Sequence, residues 1–126
     1  MKIAISSTGK NLESEIDPRF GRCDTFLIVD TETLKAEPVG NDSVSAAHGA
    51  GIGAAQKVVS LGVNVVITGH VGPNAHMALS GAGVEIYTVQ QGTVKEVVER
   101  FRKGELSKVI SATVGGHFGQ GRGRPR

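Results

Sequence analysis

Apolar residues come in short runs along this chain. Ile3-Ala4-Ile5 reads as a first strand, and Phe26-Leu27-Ile28-Val29 as an unbroken apolar block, the pattern of a largely buried second strand. Asp30-Thr31-Glu32-Thr33 reads as a turn, and Leu34 to Val39 as a third strand. After Gly40-Asn41-Asp42-Ser43 the period changes. From about His48, Ile52, Ala55 and Val59 recur on one face of a helix, with Gly62 placed to stop it. Val63 to Thr68 is a Val-rich fourth strand. Gly69-His70-Val71-Gly72 is a tight loop, and Pro73 suits the first turn of a second helix, where its missing N–H costs nothing. Gly81 and Gly83 end that helix, and Val84 to Val89 is a fifth strand. Thr93 and Glu96 form a capping box for a third helix striped by Val94, Val97, Val98 and Phe101 and closed by Gly104. Leu106, Val109, Ile110 and Val114 are spaced to pack as one more short element.

This βββαβαβα order predicts an α/β fold with a five-stranded mixed sheet of order 3-2-1-4-5, flanked by helices. Two short links make the first three strands an antiparallel meander, and helical crossovers keep the last three parallel. The connections after strands 1, 3 and 4 then leave the same edge of the sheet, where open α/β sheets bind their ligands. Three unusual segments meet there. One is the long link from about Ser7 to Asp24, far longer than adjacent antiparallel strands need, with Arg19, Phe20, Arg22 and Cys23. The others are the glycine-rich stretch at His48 and the Gly69–His76 segment. Residues 1–114 read as one domain. From Gly115 to Arg126 the chain is rich in Gly and Arg with little to bury, the composition of a disordered tail.

Composition narrows the partners. Aromatic residues are only 4% of the chain, with no Trp and Tyr87 as the lone Tyr, which speaks against stacking on single-stranded nucleic acid. Arg122, Arg124 and Arg126 supply the basicity; removing those three turns the formal charge of +2 into −1. The body has no basic face for a duplex. A start of Met1-Lys2-Ile3-Ala4-Ile5 offers no signal-type apolar stretch, no run reaches membrane length, and a single cysteine forms no internal disulfide. These features predict a cytoplasmic protein without membrane or nucleic-acid partners.

Three constellations carry candidate chemistry. Cys23 with His48, His70 and His76 offers thiolate and imidazole, ligands for soft or borderline metals and metal–sulfur clusters, in a spacing unlike a structural zinc site. Two arginines beside the thiol make a place where a thiolate could be favoured. The plain alternative is a small buried cysteine and ordinary loop histidines. Gly49, Gly51 and Gly53 open a helix whose free N–H groups suit an anion. Gly49-x-Gly51-x-x-Ala54 also resembles a dinucleotide fingerprint, but the strand does not lead directly into it and no acid follows at the expected distance. Arg19 and Arg22 offer bidentate forks for a polyanion; the alternative is pairing with Asp17 or Asp24. A two-metal nuclease is excluded, because Ile3-Ala4-Ile5-Ser6 holds no acid and Asp30 lies at the far end of its strand.

Several of these pieces together resemble the dinitrogenase iron–molybdenum cofactor biosynthesis and carrier domain. They are Ile3-Ala4-Ile5-Ser6, Asp17-Pro18-Arg19-Phe20-Gly21-Arg22-Cys23 with Phe26 to Asp30, His48-Gly49-Ala50-Gly51, the run Val65 to Ala75 with Thr68-Gly69-His70-Val71-Gly72-Pro73-Asn74, and Gly83 to Tyr87. The resemblance implies a ribonuclease-H-like α/β fold without nuclease activity. It also implies a non-catalytic carrier of metal–sulfur clusters, typically iron–sulfur–molybdenum precursors, with a related branch for a molybdenum–copper sulfide cluster. Cluster-biosynthesis or acceptor proteins are the implied partners. Many members end in a Gly/His-rich tail; this chain keeps Gly115-Gly116-His117 and then turns to Gly and Arg. On this reading Cys23 and one or more of His48, His70 and His76 are the metal ligands. Arg19, Arg22, Gly49, Gly51, Gly53, Gly69, Gly72 and Asn74 hold the anion. A phosphate- or nucleotide-binding regulatory or interaction module is the alternative.

Overall fold

The computed structural model describes residues 1–41 and 50–109. Its elements are β1 (Lys2–Ser7), β2 (Thr25–Asp30), β3 (Ala36–Gly40), α1 (Ala50–Ser60), β4 (Val65–Thr68), α2 (Pro73–Gly81), β5 (Glu85–Thr88), α3 (Val94–Arg102) and β6 (Ser107–Lys108). The sheet runs β3-β2-β1-β4-β5-β6. β1 pairs antiparallel with β2 and parallel with β4, so the expected order and directions hold. The Leu106–Val109 region adds a two-residue strand antiparallel to β5.

Strand residues alternate between two cores, as the two-residue period of a sheet requires. Ala4, Phe26, Ile28, Val66 and Ile86 point to the side covered by α1 and α2. Ile3, Ile5, Leu27, Val29, Val65 and Ile67 point to the side covered by α3. The capping box of α3 forms as predicted: Thr93 Oγ1 accepts from Glu96 N, and Glu96 Oε1 accepts from Thr93 N.

Two expectations change. The third strand begins at Ala36 rather than Leu34, because Leu34 sits in the turn with a left-handed φ of 61° and donates its N–H to Asp30 O. In α1 the buried face is Ala50, Ala54, Ala55 and Val58; of the expected stripe Ala55 is buried, Val59 is partly buried against the core, and Ile52 is exposed. Small residues face inward because α1 lies close against α2; a Cβ on Gly51 would stand 3.3 Å from Ala75 Cβ.

The link from Ser7 to Asp24 is folded throughout. Ser7 bridges Ile16, Glu15 bridges Thr93, and Arg19 bridges His70, so the link extends the sheet beyond the carboxyl ends of β1 and β4. Ile16, Asp17, Phe20 and Cys23 are buried. Phe20 lies against Phe26 with ring centroids 5.3 Å apart.

Candidate functional site

A cleft of about 210 Å³ opens where the first turns of α1 and α2 meet the Phe20–Gly21 turn. Gly51 and Ile52 line it from α1, Gly72 and Asn74 from the start of α2, and His70 from the loop after β4. A helix start leaves its first N–H groups without partners inside the helix. Gly72 is the N-cap of α2 and no side chain caps it, so Asn74 and Ala75 N–H have no acceptor within their helix. Two helix starts thus point positive ends at one small space.

Two glycines permit the close approach of backbones that shapes this rim. A Cβ on Gly21 would lie 2.8 Å from Gly51 N and 2.9 Å from Gly51 Cα. One on Gly69 would lie 2.5 Å from Pro18 Cβ and 2.7 Å from Pro18 Cα. With Gly69 bare, His70 N–H donates to Pro18 O at 2.7 Å, fastening the link to the loop that carries His70.

Asp17 holds this junction from beneath. Its carboxylate accepts from Arg19 N (2.9 Å), Nε (3.1 Å) and NH2 (3.0 Å). Burial pushes the Asp17 carboxyl up, but the hydrogen bonds and charge of Arg19 outweigh it and hold it below its ordinary value. Ser6 Oγ donates to Asp17 O and lies 2.7 Å from Thr68 Oγ1, which ties β1 and β4 to the same turn. Asn41, at the end of β3, donates its amide to Gly21 O (3.1 Å) and Cys23 O (2.9 Å).

Of the residues expected at the site, His70, Gly51, Gly72 and Asn74 share this cleft. Gly69 instead lies under Pro18, and Gly53 sits within the first turn of α1 outside the lining. Arg19 is exposed but tied to Asp17, beside His70; Arg22 is exposed on the same turn. His76 lines a separate cavity with Ser80, Glu85 and Lys108. His48, Gly49 and the tail from Gly115 lie outside the described residues.

Cys23 departs most from expectation. It is 0% exposed within the apolar cluster of Phe20, Phe26 and Val71, and it does not line the cleft. Burial and then the charge of Asp17 push its thiol up to about 12, against the expected thiolate. The arginines do not reverse this, because Arg19 is engaged by the carboxylate that opposes the thiolate. Among the described residues, no three His, Cys, Asp or Glu side chains gather as a metal site. Sequence reasoning missed Asn41 and Ile52. Only Ile52 left a signal, as a large aliphatic residue among the glycines of a helix start.

No helix among the described residues is long and apolar enough to cross a membrane. Known proteins share both the sequence and this architecture. The apo form of the orange protein from Desulfovibrio gigas superposes with a TM-score of 0.87 at 40% identity, covering 90% of this chain and 96% of its own. A Thermotoga protein provisionally named NifB gives 0.79 at 40% identity, covering 91% and 98%. An uncharacterized protein of Methanocaldococcus jannaschii is 31% identical over 111 residues, 86% of this chain and 91% of its own. Residues 1–104 match the profile described as dinitrogenase iron-molybdenum cofactor, a stretch that includes β1 through α3 and every wall of the cleft. The chain belongs to the dinitrogenase iron–molybdenum cofactor family.

Proposed function

We propose that this protein is a non-catalytic carrier of an anionic metal–sulfur cluster of the iron–molybdenum–sulfur type, or of its precursor, held in the cleft between α1 and α2. The observation that carries the reading is the convergence of two helix starts and His70 on one small space, with no carboxylate among the described residues that line it. That donor set suits a preassembled anion bearing its own sulfur. Backbone N–H groups donate to the sulfur or oxygen atoms, and His70 supplies either a further hydrogen bond or one metal ligand. Arg19 and Arg22 add positive charge on the neighbouring turn. With Cys23 buried and held protonated, the protein's own thiol plays no part in this capture; Cys23 packs the floor behind Phe20.

The family and the apo-form relative support a cofactor-associated role. The cleft's volume weighs against a nucleotide, since pockets for ligands of that size run to roughly 300–1,000 Å³. The test is an anaerobic titration with tetrathiomolybdate, with and without copper or iron, followed by the visible charge-transfer band and by metal analysis after gel filtration. The wild type should retain colour. His70→Ala should weaken retention at least about tenfold, and Cys23→Ala should leave it within about twofold. A wild type that stays colourless with every metal combination sinks the carrier reading. A thermal shift with inorganic phosphate or nucleotides, in that same colourless protein, would favour the phosphate module.

A further inference from the structure

The strand at one border of the sheet has a proline at its centre. β3 reads Ala36-Glu37-Pro38-Val39-Gly40 and, among the described residues, pairs with β2 alone. Its far side is open: Glu37, Pro38 and Gly40 are exposed, and a Cβ on Gly40 would meet nothing within 4 Å. The bonds at the two ends of the β2–β3 ladder fix which positions face outward. Asp30 N–H donates to Lys35 O at 3.0 Å, and Asn41 N–H donates to Asp24 O at 3.1 Å. In an antiparallel pair, hydrogen-bonded positions alternate with positions whose backbone groups point away from the partner. Lys35 and Asn41 are bonded positions, so Glu37 and Val39 between them are bonded too. Ala36, Pro38 and Gly40 turn their backbone groups outward. Pro38, opposite Leu27, is the middle one of the three, and it has no N–H to offer.

An edge strand is a row of unused N–H and C=O groups onto which another strand can add. Two copies of β3 would meet antiparallel about a two-fold axis at position 38, with 38 opposite 38 and 36 opposite 40. Each such pair would exchange two hydrogen bonds. Proline at position 38 removes both central bonds and sets a ring against each carbonyl that should have accepted one. The opposite border of the sheet is blunted by other means. β6 is two residues long, and its Lys108 is exposed and paired with Glu85 at 3.3 Å. We propose that Pro38 guards the β3 edge: it bars strand addition there, and so keeps the chain from pairing with a second copy through its sheet. The guard takes no bond from the fold, because the N–H that proline gives up points away from β2. It makes no use of the cleft, so it stands or falls separately from the carrier reading.

The test is a dilution series of the full chain from about 2 mM to about 0.02 mM, read by sedimentation and by amide exchange. Pro38→Thr restores the donor with a polar side chain, and Pro38→Val restores it with an apolar one. Both variants should associate at least about tenfold more tightly than wild type, the worth of two regained hydrogen bonds. Protection should then rise with concentration at Ala36, at position 38 and at Gly40, and should not in wild type. Adding Ala36→Pro to either variant moves the gap to the 36–40 pairs and should return association to the wild-type level. Several results overturn the guard. They are wild type already pairing through β3, neither variant associating more tightly, and protection that maps to another surface. Association of the Val variant alone also overturns it, since that reports an apolar side chain rather than a hydrogen bond. So does loss of the fold in both variants, checked by chemical-shift dispersion, because it would show that the residue is needed within the fold.

Discussion

The environment of Cys23 gives a reaction whose size can be worked out in advance. Alkylation by iodoacetamide requires the thiolate. A thiol at its ordinary value of 9.0 is about one-tenth ionised at pH 8, whereas one at about 12 is ionised to about one part in ten thousand. Ionisation alone therefore slows the native thiol about a thousandfold. Complete burial adds the need for an opening of the Phe20 turn before reagent can enter. The assay compares alkylation rates by mass spectrometry in native buffer and in concentrated guanidinium, at matched pH. The native rate should be at least about a thousandfold lower. The same shift couples to stability. Its folded value is raised, so the contribution is complete below pH 9.0 and is lost as pH climbs towards about 12. At three decades this amounts to about 4 kcal/mol at most. Wild type should thus weaken across that alkaline window, and Cys23→Ala, about 1 kcal/mol less stable near neutrality, should weaken less steeply. A native rate within about tenfold of the unfolded rate would refute the buried thiol and return Cys23 to the list of metal ligands.

Three further outcomes follow from the rim and its turns. Gly69→Ala puts a methyl 2.5 Å from Pro18 Cβ, where ordinary contacts are about 3.5–4.0 Å; Pro18 must retreat about 1 Å and the His70 N–H bond stretches. Urea unfolding should show a loss of about 1–3 kcal/mol, and faster amide exchange at His70; an unchanged midpoint contradicts the contact. The Asp17 carboxyl lies below its ordinary 3.8, so its stabilisation is present above that value and disappears as pH falls beneath it. Asp17→Asn should flatten that part of the acid stability curve, and identical curves would count against the ion pair. Leu34 holds a left-handed φ of 61° at an exposed turn, and Leu34→Asn should raise thermal stability by about 0.5–1 kcal/mol; a fall in the melting temperature would be the contrary result.

The sheet order was legible because turns and helical crossovers constrain strand directions independently of side-chain detail. The α3 start was legible because Thr93 and Glu96 are local chemistry. The inward face of α1 was only partly legible: the stripe of Ile52, Ala55 and Val59 placed Ala55 rightly, but Ile52 is exposed and contact with α2 selected small residues such as Ala50 and Ala54. Arg19 was visible both as an anion ligand and as a partner of Asp17, and geometry favours the pairing. Cys23 was the hardest to read. It is buried by packing against Phe20, Phe26 and Val71, on a turn whose Gly21 and Cys23 carbonyl groups are held by Asn41, eighteen residues later. No local pattern reports a contact of that kind.

The rim is sewn together from distant pieces of chain: Ser6 to Thr68, Pro18 to His70, Gly21 to both Asn41 and Gly51. Such contacts close large loops and form late relative to local structure. The cleft therefore has no existence in a partly made or partly folded chain. During synthesis, β1, β2 and the Phe20 turn must wait until β4 and the first turn of α2 have emerged. Truncation anywhere before Ala75 removes a wall of the cleft. On the carrier reading proposed above, capture would be a property of the finished domain, and an anionic metal reagent added to nascent or urea-unfolded chain should find nowhere to settle.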